Sequence, residues 1–210
     1  MKVFAINGSP HKTGNTYSAL NVIAEQLDIE GIDTDIITIG HKSIQGCTAC
    51  NACMKNKNER CIIDDDVNAL IQNMKMADGI ILGSPVHYAD VSAALKAALD
   101  RAFYVAGANQ GLFRHKVGAA IVAVRRTGGM PAVNTLYNYL QYSEMFLPTA
   151  NYWNVVHGAK PGEVLLDAEG IQTARILGKN MAWLMKAVHA FKAEEALPLM
   201  EKKTWTNFIR

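Results

Sequence analysis

The stretch Gly8-Ser9-Pro10-His11-Lys12-Thr13-Gly14-Asn15-Thr16 follows the apolar run Lys2–Asn7 and leads into a segment with helical periodicity. Strand, glycine-bearing turn and helix in that order place the turn at the carboxyl end of a buried strand, where doubly wound folds bind ligands. A helix N-terminus offers unpaired backbone N–H groups and the positive end of a dipole, which suits a phosphate. Gly8 and Gly14 allow close backbone approach. Ser9, Asn15 and Thr16 bring side-chain donors, and His11 and Lys12 bring positive charge. Five residues separate Gly8 from Gly14 and Asn15 stands where an ATP-type loop needs lysine, so that loop is excluded. The dinucleotide fingerprint Gly-x-Gly-x-x-Gly is also absent. The plainer alternative is an ordinary turn in which Asn or Ser caps the helix.

Outward from this loop, Val- and Ile-rich runs alternate with longer stretches of helical period. Strands are expected at Lys2–Asn7, 33–39, 79–83, 116–124 and 150–156, and helices at 16–27, 65–74, 91–104, 131–141 and 167–191. In the first helix Leu20, Ile23, Ala24 and Leu27 share a face; in the last, Ile171, Ala174, Met181, Leu184, Met185 and Val188 do. Alternation of this kind means βαβ units, a parallel sheet and helices on both of its faces. Near-continuous apolar strands agree, because parallel strands are buried on both sides. Five strands favour the flavodoxin-like α/β three-layer sandwich, order 2-1-3-4-5, over the six-stranded dinucleotide fold. Residues 1–192 read as one domain, and 193–210 as a tail in which Pro198 stops the helix. Trp205, Phe208 and Ile209 in that tail need a cover, either the domain itself or a partner subunit.

Two further loops fall at strand ends. Gly83-Ser84-Pro85-Val86-His87-Tyr88-Ala89-Asp90 follows the third strand, with Pro85 stiffening the backbone and Val86, His87 and Tyr88 giving an edge against which a flat ring could lie. Arg125-Arg126-Thr127-Gly128-Gly129 follows the fourth, with two glycines and two cations. A locally packed strand–helix turn and a solvated basic turn are the plain alternatives. Loops after strands one, three and four converge on one crevice in this fold.

The chain has 210 residues, half of them hydrophobic, and a formal net charge of +2. The charge balance argues against nucleic acid or an anionic membrane as the main partner. No apolar run approaches the roughly 18 to 20 residues that span a bilayer, and the start resembles no signal peptide. A cytoplasmic location is the default expectation, and there four cysteines are not structural disulfides. All four lie in one stretch, as Cys47-x-x-Cys50-x-x-Cys53, seven residues, then Cys61. Thiolates so spaced could hold a [4Fe–4S] cluster, a zinc ion or a redox dithiol, or pack without metal. Asp64, Asp65 and Asp66 precede a helix and read as capping residues. His115, His157 and His189 have no ligand-type spacing. Tyr152 and Trp153 read as core residues, with cover of the ligand of a neighbouring subunit as the alternative. No Ser/His/Asp triad or paired carboxylates can be argued, and no catalytic side chain is assigned.

On these residues the chain resembles the NADPH-dependent FMN reductase family of flavodoxin-like proteins, and within it the iron–sulfur flavoproteins, over roughly residues 1–191. The family's first loop is similar to Gly-Ser-Pro-Arg-x-x-Gly-Asn-Thr, matched by Gly8, Ser9, Pro10, Gly14, Asn15 and Thr16, while His11 stands where Arg is usual. The resemblance implies that Ser9, Pro10, His11, Lys12, Gly14, Asn15 and Thr16 hold the FMN phosphate. It implies that Ser84, Pro85, Val86, His87 and Tyr88 border the ring, His87 replacing a common Tyr, and that Arg126, Thr127, Gly128 and Gly129 approach its other side. Asp100 and Arg101 are taken as helix and interface residues. The iron–sulfur flavoproteins carry a compact cysteine motif similar to this one, usually with a shorter last gap, so Cys47, Cys50, Cys53 and Cys61 are the metal candidates. By the same resemblance NADPH or NADH reduces the flavin, which passes electrons to a quinone, free flavin, nitro compound or protein. A homodimer or homotetramer is expected to complete the flavin pocket. An electron-transfer protein carrying FMN and a cluster is the alternative.

Overall fold

The computed structural model describes residues 1–206, 208 and 209. Five strands form one all-parallel sheet in the order β2-β1-β3-β4-β5: β1 Lys2–Asn7, β2 Asp33–Thr38, β3 Gly79–Pro85, β4 Val117–Val124 and β5 Val155–His157. This is the flavodoxin-like order expected from the strand count. The central strands β1, β3 and β4 are buried along almost their whole length, as both-faced coverage demands. Register brings the strand ends level at one edge, with Asn7 opposite both Thr38 and Gly83, and Pro85 opposite Ala123.

The helices are α1 Asn15–Ile29, α2 Ala52–Asn56, α3 Asp66–Met76, α4 Ala93–Ala108, α5 Gly129–Tyr142 and α6 Ala168–Glu194. On one face α1 and α6 bury Leu20, Ile23 and Leu27 with Ile171, Ala174, Leu177, Met181 and Met185 against Val3, Ala5 and Ile81. On the other, α3, α4 and α5 bury Leu70, Ile71, Met74, Leu95, Leu99, Leu136 and Leu140 against Phe4, Ile6, Leu82 and Val122. Each such side chain contributes about 1.5–3 kcal/mol by leaving water, and the two layers fix the strand-end edge that carries the loops.

Two expectations are corrected. The fifth strand is three residues long, Val155–His157, rather than 150–156. Ahead of it the chain bends, Val155 N–H bonding back to Trp153 O at 2.7 Å, so that Tyr152 and Trp153 stand exposed, packed edge-on against each other and not in the core. Helix α2, inside the cysteine stretch, had no sequence expectation because its five residues are too few to show a period. The tail after α6 leaves Leu199, Trp205, Phe208 and Ile209 exposed. It is tied back to the domain by Arg114, which donates to Pro198 O at 2.8 Å, and by Lys203 at the Tyr142 hydroxyl. Asn207 and Arg210, also part of that expected tail, lie outside the described residues.

Candidate functional site

At the carboxyl edge of the sheet the first loop is bonded into shape by its own atoms. Ser9 N–H donates to Asn7 Oδ1 at 3.0 Å and His11 N–H to Ser9 Oγ at 3.1 Å. Gly8 N–H donates to Gly83 O at 2.8 Å, and the Ser92 hydroxyl to Gly8 O at 2.6 Å. Ser84 closes the seam: its Oγ accepts Ser92 N–H at 3.0 Å and donates to Pro85 O at 2.8 Å. The first and second loops are thereby one rigid unit. Gly40, in the turn after β2, lies against it, and a Cβ there would sit 2.1 Å from Gly8 O and 2.5 Å from Ser9 O.

Helix caps distinguish the crevice helices from α3 and α6, though the five-residue α2 is uncapped as well. Asp65 caps α3 through Val67 N–H and Asp167 caps α6 through Gly170 N–H, whereas α1, α4 and α5, which follow β1, β3 and β4, have no side-chain cap bond. Asn15 does not cap its helix: its Oδ1 accepts Val164 N–H at 3.4 Å. The first-turn N–H groups of α1 therefore remain available at the loop. The plain reading, in which Asn or Ser caps this helix, is set aside.

A concavity of about 260 Å3 opens there, lined by Ser9, His11, Gly14, Asn15, Thr16, Pro85, Val86, His87, Ala123 and Arg125, and by Gly158, Ala159 and Pro161. Sequence reasoning missed the turn at 158–161. Its Gly158 N–H bonds Val124 O at 3.0 Å, so it closes the side of the crevice beyond β5, and the turn residues Gly158 and Pro161 were its signal. Four residues expected from the first two loops do not line this space. Ser84 is fully buried and occupied as described; Pro10 and Lys12 lie on the outer side of the first loop, exposed; Tyr88 projects into solvent. Tyr88 and Ala89 take left-handed backbone, φ 49° and 61°, in a turn closed by His87 N–H to Asp90 O at 2.8 Å and Asp90 N–H to His87 O at 3.0 Å.

Arg126, Thr127, Gly128 and Gly129 line a neighbouring concavity of about 450 Å3 with Trp153, His157 and the start of α6. Alternation along the end of β4 explains the split, since Ala123 and Arg125 point one way and Val124 and Arg126 the other. Gly128, at φ 87°, joins the two spaces: a Cβ there would meet Ala89 Cα at 3.0 Å and Val86 Cγ1 at 3.3 Å.

The four cysteines share a third concavity, a narrow one of about 20 Å3, bordered by Asn51, Ile63, Arg101 and Tyr104. Cys53 and Cys61 lie deeper than Cys47 and Cys50, and all are free thiols. Burial pushes the Cys53 thiol up, while the Ala52 N–H and the Thr48 hydroxyl draw Cys50 down. The loop that carries them crosses four non-glycine left-handed positions, Ala49, Asn51, Lys57 and Glu59. Side chains of α3, and the segment ending α4, hold it. Asn68 accepts Cys61 N–H at 2.8 Å and donates to Cys61 O and Ile63 O at 3.2 and 3.1 Å; Gln72 donates to Glu59 O at 3.0 Å; Asn109 Oδ1 accepts Glu59 N–H at 3.1 Å. Asp65, as expected, caps its helix. Arg101 is not an interface residue: its side chain is wholly buried against Asp65, because its acceptors all lie inside the domain. Among the described residues no group of three or more His, Cys, Asp and Glu side chains is arranged to hold a single metal ion, and no helix is long and apolar enough to cross a membrane.

Residues 1–160 match the family model described as NADPH-dependent FMN reductase. The chain belongs to that family. Within it, the chain groups with the iron–sulfur flavoproteins: it is 40% identical over 199 residues to an iron–sulfur flavoprotein of Methanocaldococcus jannaschii, spanning 90% of this chain and 99% of that one. In fold it is similar to RosB, solved with 8-demethyl-8-formylriboflavin-5'-phosphate, at TM-score 0.68 and 15% identity over 100% of this chain and 94% of that one. It is also similar to a flavodoxin from the domain Archaea, at TM-score 0.58 and 17% identity over 89% and 99%. Membership of the FMN reductase family makes this a flavin-dependent oxidoreductase, as the loops led one to expect.

Proposed function

We propose that the crevice at Ser9–Thr16 binds FMN, that a nicotinamide cofactor reduces it, and that the electrons leave to a quinone, a free flavin, a nitro compound or a protein acceptor. The single observation that supports this best is the uncapped start of α1 inside a prebuilt loop. Its free N–H groups, with the Thr16 hydroxyl, would take the phosphate; the Arg125 guanidinium supplies a nearby positive charge and His11 a nearby ring nitrogen. Val86 and His87 give the edge for the ring, and Gly128 lies so near that a Cβ there would meet Val86 Cγ1 at 3.3 Å. When bound, FMN supplies the hydride- and electron-accepting chemistry, and the protein binds, orients and screens it. No side chain need move a proton.

Exposed Tyr88, Trp153 and the tail residues supply apolar surface for a homodimer or homotetramer. Free cysteines with no disulfide among them suit a reducing compartment such as the cytoplasm. Titrating flavin-free protein with FMN and with riboflavin tests the reading. FMN should bind at least about a hundredfold more tightly, a phosphate contribution near 2.7 kcal/mol, and NADPH or NADH should then be oxidised when a quinone is present. Equal affinity for both flavins, or uptake of neither, would overturn it.

A second reading is favoured by the thiols at one concavity. Among the described residues they do not close on a single point, and four thiolates in so compact a run suit a multi-iron body better than one zinc ion. Cys47, Cys50, Cys53 and Cys61 would then hold a [4Fe–4S] cluster, which supplies one-electron transfer, and the protein would pass electrons between cluster and flavin. Anaerobically purified protein should contain about four iron and four acid-labile sulfide per chain; zinc, or neither element, rules this out.

A further inference from the structure

Arg101 is the one charged side chain among the described residues that line the cysteine concavity, and its guanidinium is fully buried. A guanidinium has five N–H donors in a fixed planar fork, and each meets an acceptor here. Nη1 donates to Asp65 Oδ2 at 2.6 Å and Gln45 O at 3.2 Å; Nη2 donates to Asp65 Oδ1 at 2.7 Å and Ile63 O at 3.0 Å. Nε, the remaining donor, points at Cys61 Sγ at 3.3 Å. Gln45 and Ile63 bracket the cysteine stretch, two residues before Cys47 and two after Cys61. One rigid group therefore grips both ends of the loop and one of its sulfurs, while Asp65 neutralises its net charge.

We propose that Arg101 is the positioning residue of the cysteine site. It folds the loop before anything binds, and its Nε–H donates to the Cys61 sulfur so as to raise the reduction potential of the group the thiols hold. The proposal rests on the cluster reading for its second half only. Hydrogen bonds to ligating sulfur draw charge from the cluster and favour the more negative, reduced state. Asp65 leaves little net charge to act at a distance, so the Nε–H dipole is what reaches the sulfur. Lysine cannot reproduce this: three donors on one point cannot serve Asp65, both carbonyls and sulfur together.

The experiment uses full-length wild type, Arg101→Lys and Arg101→Met. In cluster-free protein, limited proteolysis should cut the 45–63 loop at least tenfold faster in Arg101→Lys than in wild type, with the rest of the chain resistant. After anaerobic reconstitution with iron and sulfide, Arg101→Lys should show a lower cluster midpoint potential in a spectroscopically monitored titration, and the flavin potential should stay put. Arg101→Met, if it folds, should shift the cluster potential in the same direction. A merely structural role would lower loading without moving the potential of the clusters that form. An unchanged cluster potential overturns the tuning role, and equal cleavage rates overturn the positioning role. A wild type that takes up no iron and sulfide overturns the cluster reading and the tuning role with it, leaving the protease comparison to decide positioning alone.

Discussion

At the crevice proposed for the flavin, backbone atoms at the ends of β1, β3 and β4 make the outline, and side chains such as Ser9, Ser84 and Ser92 lock them together. At the cysteine loop the backbone is strained, with four left-handed non-glycine residues, and side chains reaching from α3 and α4 impose its path. The crevice follows from topology, so any sequence that builds this sheet order builds its outline. The cysteine site follows from particular residues, chiefly Arg101, Asn68 and Asp65, and is loosened when one of them goes. The largest expected effect is accordingly in the loop. Asp65→Ala leaves a buried guanidinium without its carboxylate and removes the cap of α3. Breaking a buried pair on one side costs about 3–5 kcal/mol, read as a lower urea midpoint, while FMN affinity of the folded protein should hold. If FMN affinity falls in step with stability, the two sites are not separately built.

The same pair gives the loop a pH dependence. The Arg101 hydrogen bonds hold the Asp65 carboxyl below its ordinary value. A depressed carboxylate stabilises the fold above its unfolded value, near 3.9, and that contribution is lost as pH falls through the lower folded value. Proteolysis of the 45–63 stretch should therefore accelerate in acid below about pH 4, before the sheet melts; simultaneous loss of both would contradict separate construction.

In the crevice, the position most sensitive to substitution is one no loop motif contains. Gly40→Ala would drive a Cβ into Gly8 O and Ser9 O, backbone that cannot step aside without shifting the phosphate loop. A cost of about 1–3 kcal/mol is usual for overpacking, and FMN should bind on the order of a hundredfold more weakly. Retained affinity would mean that the loop tolerates displacement.

These differences explain what could be read in advance. Strand order, the first loop and the spacing of the cysteines follow from periodicity and punctuation, both local in sequence. The turn at 158–161 and the role of Gly40 depend on which strand ends become neighbours, and β5 is too short to announce itself. Arg101 was legible only as a helix residue: its acceptors Gln45, Cys61, Ile63 and Asp65 are 36 to 56 positions away. Tyr88 matched a loop pattern, but the left-handed turn that turns it outward is a backbone property that Tyr and Ala do not advertise.

A smaller effect tests the idea that crevice side chains only lock backbone. Ser9→Ala removes the acceptor for His11 N–H. A net hydrogen bond contributes about 0.5–1.5 kcal/mol, so FMN affinity should fall about three- to tenfold while riboflavin affinity, which has no phosphate to lose, stays constant. A matching loss for riboflavin would place Ser9 at the ring and not at the phosphate.

The smallest effect compares strain at the two sites directly. Ala89 (φ 61°) and Ala49 (φ 53°) are left-handed alanines, one in the second loop and one between the first two cysteines. An L side chain costs about 1–2 kcal/mol there, and glycine removes that cost but has about 0.5–1 kcal/mol more backbone freedom to lose on folding. Ala89→Gly and Ala49→Gly should each stabilise by about 0.5 kcal/mol, a rise of about 1–2 °C in Tm for a chain this size. Equal shifts mean that the backbone is equally strained at both sites, so the whole difference in their robustness lies in the side-chain clamps. A larger shift for Ala49→Gly would mean instead that the clamps force the cysteine loop further from its preferred path than its φ values reveal.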